Sequence, residues 1–226
     1  MDLLLNNVAA VYLPHEDHLM RLRNLSIGIQ SGKIVYMDDS KDVPPAKKVI
    51  DAQNFICLPA LIDPHTHSVW GGSRAKEFAR RLAGENYTKI LEEGGGILST
   101  VTQTRNQSLT RLSQGCRYRL RPMLQNGVGT VEVKSGYGLN PATEQRLLMA
   151  ARTAATPQQI TTTFLGAHTI PKEYRGRRDQ YVRQIIEEQL PVCAPYADSI
   201  DVYCDRGAFT LDESIEILKA GKSAGL

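Results

Sequence analysis

Residues 55–67 read Phe55-Ile56-Cys57-Leu58-Pro59-Ala60-Leu61-Ile62-Asp63-Pro64-His65-Thr66-His67, and this stretch decides the fold. From Phe55 to Asp63 it is nearly continuous apolar sequence, the mark of a strand covered on both faces. Proline cannot donate to a strand ladder, so the central strand is expected to begin only after Pro59. Three later runs share this character: Gly129 to Lys134 (GTVEVK), Ile160 to Ala167 (ITTTFLGA) and Ser199 to Cys204 (SIDVYC). Helical patterns separate them. Leu109, Leu112, Cys116, Leu120, Met123 and Leu124 recur at helical spacing through 108–124, with Pro122 expected to kink that helix near its end. Asn140-Pro141 is an N-cap followed by proline at the first helical position, opening a helix that stops near Pro157. A third helix runs from about Asp179 to Leu190, and Thr210 with Glu213 forms a capping box for a fourth. Repeated strand–helix alternation means α/β with a parallel sheet, either a doubly wound open sheet or a (β/α) barrel.

Upstream the pattern differs. Residues 3–13 alternate loosely up to Pro14, and the runs 25–29 and 33–36 flank a Ser31-Gly32 turn. Val49-Ile50 resumes a short strand before Asp51. Residues 1–57 are therefore expected to be a small all-β lobe, too thin to bury both faces alone, and 58–226 the α/β domain. Downstream, residues 219–226 finish a helix where a fifth strand would begin. Half a barrel would leave two apolar strand edges open, so the chain is expected to be part of one nearer twice its length.

Composition excludes several classes. With 42% hydrophobic and 23% charged residues, global disorder is ruled out. The charge balance of 27 − 24 = +3 is too small for the field of a nucleic-acid binder. The acid-free stretch from Gly94 to Val131 holds Arg105, Arg111, Arg117, Arg119 and Arg121, read as a solvated helix face. Cys57, Cys116, Cys193 and Cys204 lack paired spacing, which speaks against a zinc knuckle or a disulfide scaffold. No stretch has the basic start of a secretory signal or the ~18 apolar residues of a membrane span. A soluble, reduced-thiol, cytoplasmic protein is expected.

His65 and His67 stand two apart on an extended segment, so both can face one ion just past a strand's C-terminal end. Imidazole suits zinc or ferrous iron; the alternative is a histidine pair satisfied within a strand-end turn. Asp63 either orients one of these rings or caps the turn. Tyr137, in the glycine-bracketed loop Ser135-Gly136-Tyr137-Gly138, and His168 also lie directly beyond strands, while Glu132 and Lys134 share one strand face. Arg74 follows a Gly71-Gly72 loop and either forks onto a substrate carboxylate or pairs with Glu77. Gly94-Gly95-Gly96 ends a helix or forms a mobile lid. Gly221-Lys222-Ser223 has Glu216 where a phosphate loop needs glycine, so it carries no nucleotide motif. With no G-x-S-x-G elbow, a metal-activated water is the economical nucleophile.

Asp63-Pro64-His65-Thr66-His67, the 71–74 run GGSR, Gly94-Gly95-Gly96-Ile97, the 131–139 run VEVKSGYGL, the 163–168 run TFLGAH and Asp201-Val202-Tyr203-Cys204 together resemble the imidazolonepropionase family of the amidohydrolase superfamily. The resemblance covers nearly the whole chain and is weakest in residues 1–50. It implies a metal-bearing (β/α)8 TIM barrel, here its first four or so β/α units, with a β-sandwich lobe built from both chain ends. It implies hydrolysis of 4-imidazolone-5-propanoate to N-formimidoyl-L-glutamate in histidine degradation, usually by a homodimer with one zinc or iron ion per subunit. His65 and His67 would be metal ligands, Arg74 would hold the propionate, and Tyr137 and His168 would contact the substrate. The resemblance also implies a metal histidine and a catalytic glutamate after the fifth strand, another histidine after the sixth and a metal aspartate after the eighth, all expected beyond Leu226. Another cyclic-amide hydrolase or aminohydrolase, or a truncated non-catalytic relative, is the alternative.

Overall fold

Ser31 and Gly32 both adopt positive φ (+50° and +74°), the twist that a two-residue hairpin needs to match its strands. They join β2 (His18–Gln30) to β3 (Lys33–Asp38), and β2 in turn pairs antiparallel with β1 (Leu3–His15). On the other side of β1 lie β4 (Lys48–Asp51) and β5 (Ile56–Cys57), both parallel to it. Val8, Val11, Ile27 and Ala52 form the small core of this mixed sheet. In this computed structural model residues 1–39, 42–86, 89–90 and 93–226 are described, and the chain divides into units Met1–Ala60 and Leu61–Leu226.

The second unit holds the parallel strands β6 (Leu61–Thr66), β7 (Val128–Lys134), β8 (Gln159–Ala167) and β9 (Ser199–Val202), in the spatial order β6-β7-β8-β9. Sequential order with no reversal means every crossover steps the same way. That is the order of a barrel; a doubly wound sheet would turn back on itself. The α-helices whose full range lies among the described residues are α1 (Ala75–Leu82), α2 (Ile97–Arg105), α3 (Leu109–Gln125), α4 (Pro141–Arg152), α5 (Arg178–Gln184), α6 (Leu190–Cys193) and α7 (Leu211–Ser223). Leu112, Cys116 and Leu120 of α3 pack with Val131 and Val133 of β7 and Leu147 of α4. A second cluster joins Phe164 of β8 to Tyr181, Ile185, Phe209 and Ile217. The sheet of the second unit is thus an incomplete, curled half-barrel, and the first unit is a smaller mixed sheet.

Several local expectations change. β6 begins after Pro59 as read, but it is not covered on both faces: Leu61 is 50% and Ile62 67% exposed. It is an edge strand, paired only with β7 among the described residues. The helix expected to end at Leu190 instead widens into a π turn over Ile185–Gln189 and resumes as α6. Pro191 lacks the N–H that would continue an α ladder, and the wider turn precedes it. The glycine run closes one helical stretch, as read, and also opens the next: Gly95 donates to the Ile90 carbonyl at 2.9 Å, Gly94 takes φ +88°, and Gly96 caps α2, its N–H held by Glu77. The arginine face is not uniformly solvated either. Arg105 donates to the carbonyls of Gly138 and Leu139 and pairs with Glu173, and Arg119 is half-buried. The four cysteines are free thiols, and no described helix is long and apolar enough to cross a membrane.

Candidate functional site at the C-terminal ends of the parallel strands

Pro64 interrupts the β6 ladder, and the register with β7 slips between Asp63 and Thr66. Thr66 closes the gap by donating its hydroxyl to the Glu132 carbonyl (2.7 Å), so Ser68, 2.9 Å away, is the donor in their shared hydrogen bond. Asp63 accepts the His65 N–H at 3.3 Å, which makes it the cap of this strand-end turn. The loop beyond is fastened from α3. Arg119 donates to the carbonyls of Ser68 and Trp70, both at 3.0 Å, and lies 3.6 Å over the indole ring. Thr104 of α2 holds the same loop further on, accepting the Gly71 N–H at 2.9 Å.

Four strand ends bring aromatic rings together. His67 lies 5.9 Å from His65, 5.0 Å from Tyr137 and 4.8 Å from His168, the last nearly parallel at 12°. Tyr137 and His168 are 5.4 Å apart, and Tyr203 after β9 stands edge-on to His168 at 6.1 Å. His168 Nδ1 is 2.9 Å from the Gly136 carbonyl. A carbonyl only accepts, so Nδ1 carries the proton and Nε2 keeps a lone pair. Burial, then the neighbouring His168 and His65, push His67 down to about 4. Burial also lowers His168, against the pull of Gly136 and Asp201. Burial raises the Tyr137 hydroxyl while the Arg74 charge pulls it back. Near neutral pH His67 and His168 are therefore uncharged imidazoles and Tyr137 a neutral phenol.

Beneath these rings the strand faces are polar. Lys134 is only 5% exposed, and its ammonium lies 2.7 Å from Glu132 and 2.9 Å from Asp201. Burial works against that charge, but the hydrogen bonds to Glu132 and Asp201 outweigh it and hold Lys134 above its ordinary value. Thr163 donates to the same Glu132 oxygen and meets Ser199 at 2.8 Å, while Glu132 Oε2 is buried without a hydrogen bond. Arg74 donates through Nε to Glu77 at 2.8 Å, so its alternative ion pair is present, and its charge is felt at Tyr137.

The structure thus gathers His65, His67, Tyr137 and His168, with Arg74 in electrostatic range of Tyr137. Sequence reasoning passed over Tyr203, Asp201 and Arg119 as site residues. Glu132 and Lys134 on one strand face signalled the polar layer, but the lysine's partner Asp201 sits two strands away. Among the described residues no group of three or more His, Cys, Asp or Glu is placed to hold a metal ion. The histidine pair nonetheless suits part of a metal's donor set: His67 is neutral, and its Nδ1 is buried without a hydrogen-bond partner.

No family model matches the chain. The imidazolonepropionase of Myxococcus xanthus is 40% identical along all of this chain, which spans 58% of that protein. That of Bacillus cereus is 39% identical, again along the whole chain, with 57% of its own length covered. The chain therefore spans less than two thirds of these curated relatives. Among solved structures, the zinc complex of atrazine chlorohydrolase from Arthrobacter aurescens superposes with a TM-score of 0.57 at 17% identity, covering 98% of this chain and 50% of that one. The 5-methylcytosine deaminase of Klebsiella pneumoniae gives 0.55 at 17%, covering 98% and 56%. At that identity the likeness speaks for the fold alone.

Proposed function

The chain is a relative of the imidazolonepropionases along its whole length, and from that premise we propose that it serves the metal-dependent hydrolysis of 4-imidazolone-5-propanoate. The ring amide C–N bond breaks, water adds, and N-formimidoyl-L-glutamate leaves, a step of histidine breakdown. The observation that carries this reading is the ring cluster in which His67 lies within 6 Å of His65, Tyr137 and His168.

In this reading His65 and His67 hold the metal as neutral imidazoles. A zinc or iron ion, one per subunit, supplies a water of lowered pKa and polarises the ring carbonyl when bound. Arg74 grips the propionate carboxylate, Tyr137 covers the flat ring, and His168 offers a lone pair at Nε2 to a ring N–H. Burial of His67, Tyr137 and His168 lowers the local dielectric, so each polar contact is stronger than it would be in water. We assign the general base to no residue of this chain. Residues 1–57 supply part of a β-sandwich lobe and 58–226 the first half of the barrel, in a cytoplasmic homodimer.

The test uses the full gene product, purified with and without metal. Formation of N-formimidoyl-L-glutamate, followed by mass spectrometry, is expected only from metal-loaded protein and is expected to be lost in His67→Ala. Metal-replete, folded protein that leaves 4-imidazolone-5-propanoate intact while hydrolysing another cyclic amide would move the assignment to a different hydrolase.

A further inference from the structure

Glu144 stands in the first turn of α4, behind the ring cluster, and is fully buried, in no ion pair among the described residues. Its carboxylate is nevertheless crowded with donors. Oε1 accepts the N–H groups of Gly138 (2.6 Å) and Leu139 (2.7 Å), Oε2 accepts that of Gly136 (2.8 Å), and the Ser135 hydroxyl adds a further bond. All of these donors belong to the five-residue loop that carries Tyr137. The loop is bent to meet them: Gly136 and Leu139 take positive φ, +103° and +53°, the latter costly for a leucine. It also leaves no slack. A Cβ on Gly138 would sit 2.6 Å from the Glu144 nitrogen, and one on Gly136 would sit 2.8 Å from His168 Nδ1.

We propose that Glu144 is the positioning residue of this mouth, shaping the 135–139 loop and, through Gly136, fixing which nitrogen of His168 carries the proton. The Gly136 N–H is held by Glu144 while its carbonyl accepts Nδ1–H of His168, so one residue links the two side chains. Removing an acceptor frees the peptides on either side of the Gly136 Cα to turn about its φ and ψ, and the His168 tautomer and the Tyr137 ring lose their common reference. The inference rests on the reading of Tyr137 and His168 as substrate contacts, but its physical claim concerns the loop.

The experiment compares full-length parent, Glu144→Gln and Glu144→Asp by amide hydrogen exchange and by 15N NMR of histidine-labelled protein. Glu144→Gln puts an NH2 group against a backbone donor. Exchange at Gly136, Gly138 and Leu139 is expected to rise by about 10- to 100-fold, with strands β7 and β8 unchanged. The His168 signals are expected to move from a single Nδ1–H tautomer to a mixture, and KM for 4-imidazolone-5-propanoate to rise more than kcat falls. Glu144→Asp keeps the charge and is expected to recover part of the tautomer bias. A folded Glu144→Gln protein with a protected loop and an unchanged His168 spectrum overturns the proposal. Loss of cooperative melting in both variants also overturns it, because it assigns Glu144 to the core instead of the loop. Absence of turnover in the parent would count against the proposed function alone, since exchange and tautomer are read without it.

Discussion

Arg119 does at one position what a hydrophobic contact cannot: it satisfies two loop carbonyls and covers the Trp70 face with one planar group. Arg119→Lys retains the charge but cannot reach both carbonyls while stacked. It is expected to lower stability by about 1–3 kcal/mol in chemical denaturation, and an unchanged midpoint and slope would remove Arg119 as the anchor of this loop. Arg74→Lys probes the mouth itself. The pair with Glu77 survives the change but the rigid fork does not, so kcat/KM is expected to fall by about 10-fold or more, on the order of 1.4 kcal/mol. Kinetics equal to the parent's would take Arg74 out of the site. For the histidine pair, His65→Ala and His67→Ala are each expected to cut bound metal sharply, and stoichiometric metal in both by elemental analysis would refute the ligand assignment. The histidine pair was legible because strand periodicity alone puts residues two apart on one side. Arg119 was not, because local spacing places it on α3 without saying which loop that helix face meets.

At the scale of elements, α7 shows how far local rules reach. Thr210 and Glu213 were readable as a capping box, and both reciprocal bonds are present. Unseen in the sequence was the second use of Glu213, a paired contact with Arg178, 35 residues upstream, at 2.7 Å to each carboxylate oxygen. That contact, with the cap bonds, holds the Glu213 carboxyl down to about 2 from its ordinary 4.5. A lowered carboxyl contributes stability fully present above its ordinary value, lost as pH falls from about 4.5 toward 2. Allowing for screening of the half-exposed arginine, its worth is about 1–2 kcal/mol at neutral pH. Melts of parent and Glu213→Gln are therefore expected to differ most at pH 6–7 and to converge toward pH 3. A gap that stays constant over that range would show that the charge is not what matters. By contrast α1 escaped sequence reading for a plain reason: none of its residues is buried, and Phe78 and Leu82 are exposed, so no core stripe marks it.

For the whole molecule, the sequential order β6-β7-β8-β9 decides between the two layouts that strand–helix alternation allowed, and it also sets the last expectation. Each outer strand has a neighbour on one side only among the described residues. Leu61 and Ile62 of β6 show apolar surface at one edge, and Leu211, Ile215 and Leu218 of α7 are exposed near the other. An open parallel edge bearing leucine and isoleucine is a template for pairing, and natural sheets cover or charge such edges. Residues 1–226 expressed as an isolated polypeptide are thus expected to self-associate or to stay loosely packed, and to leave 4-imidazolone-5-propanoate unhydrolysed. Ile62→Lys, which places a charge on the edge, is expected to reduce the association in sedimentation velocity without restoring turnover. A monodisperse, cooperatively melting monomer would mean that β6 and α7 are satisfied as they stand. Turnover that follows added zinc or iron in the same preparation would mean that the four-stranded sheet carries a working site, with the base among residues 1–226.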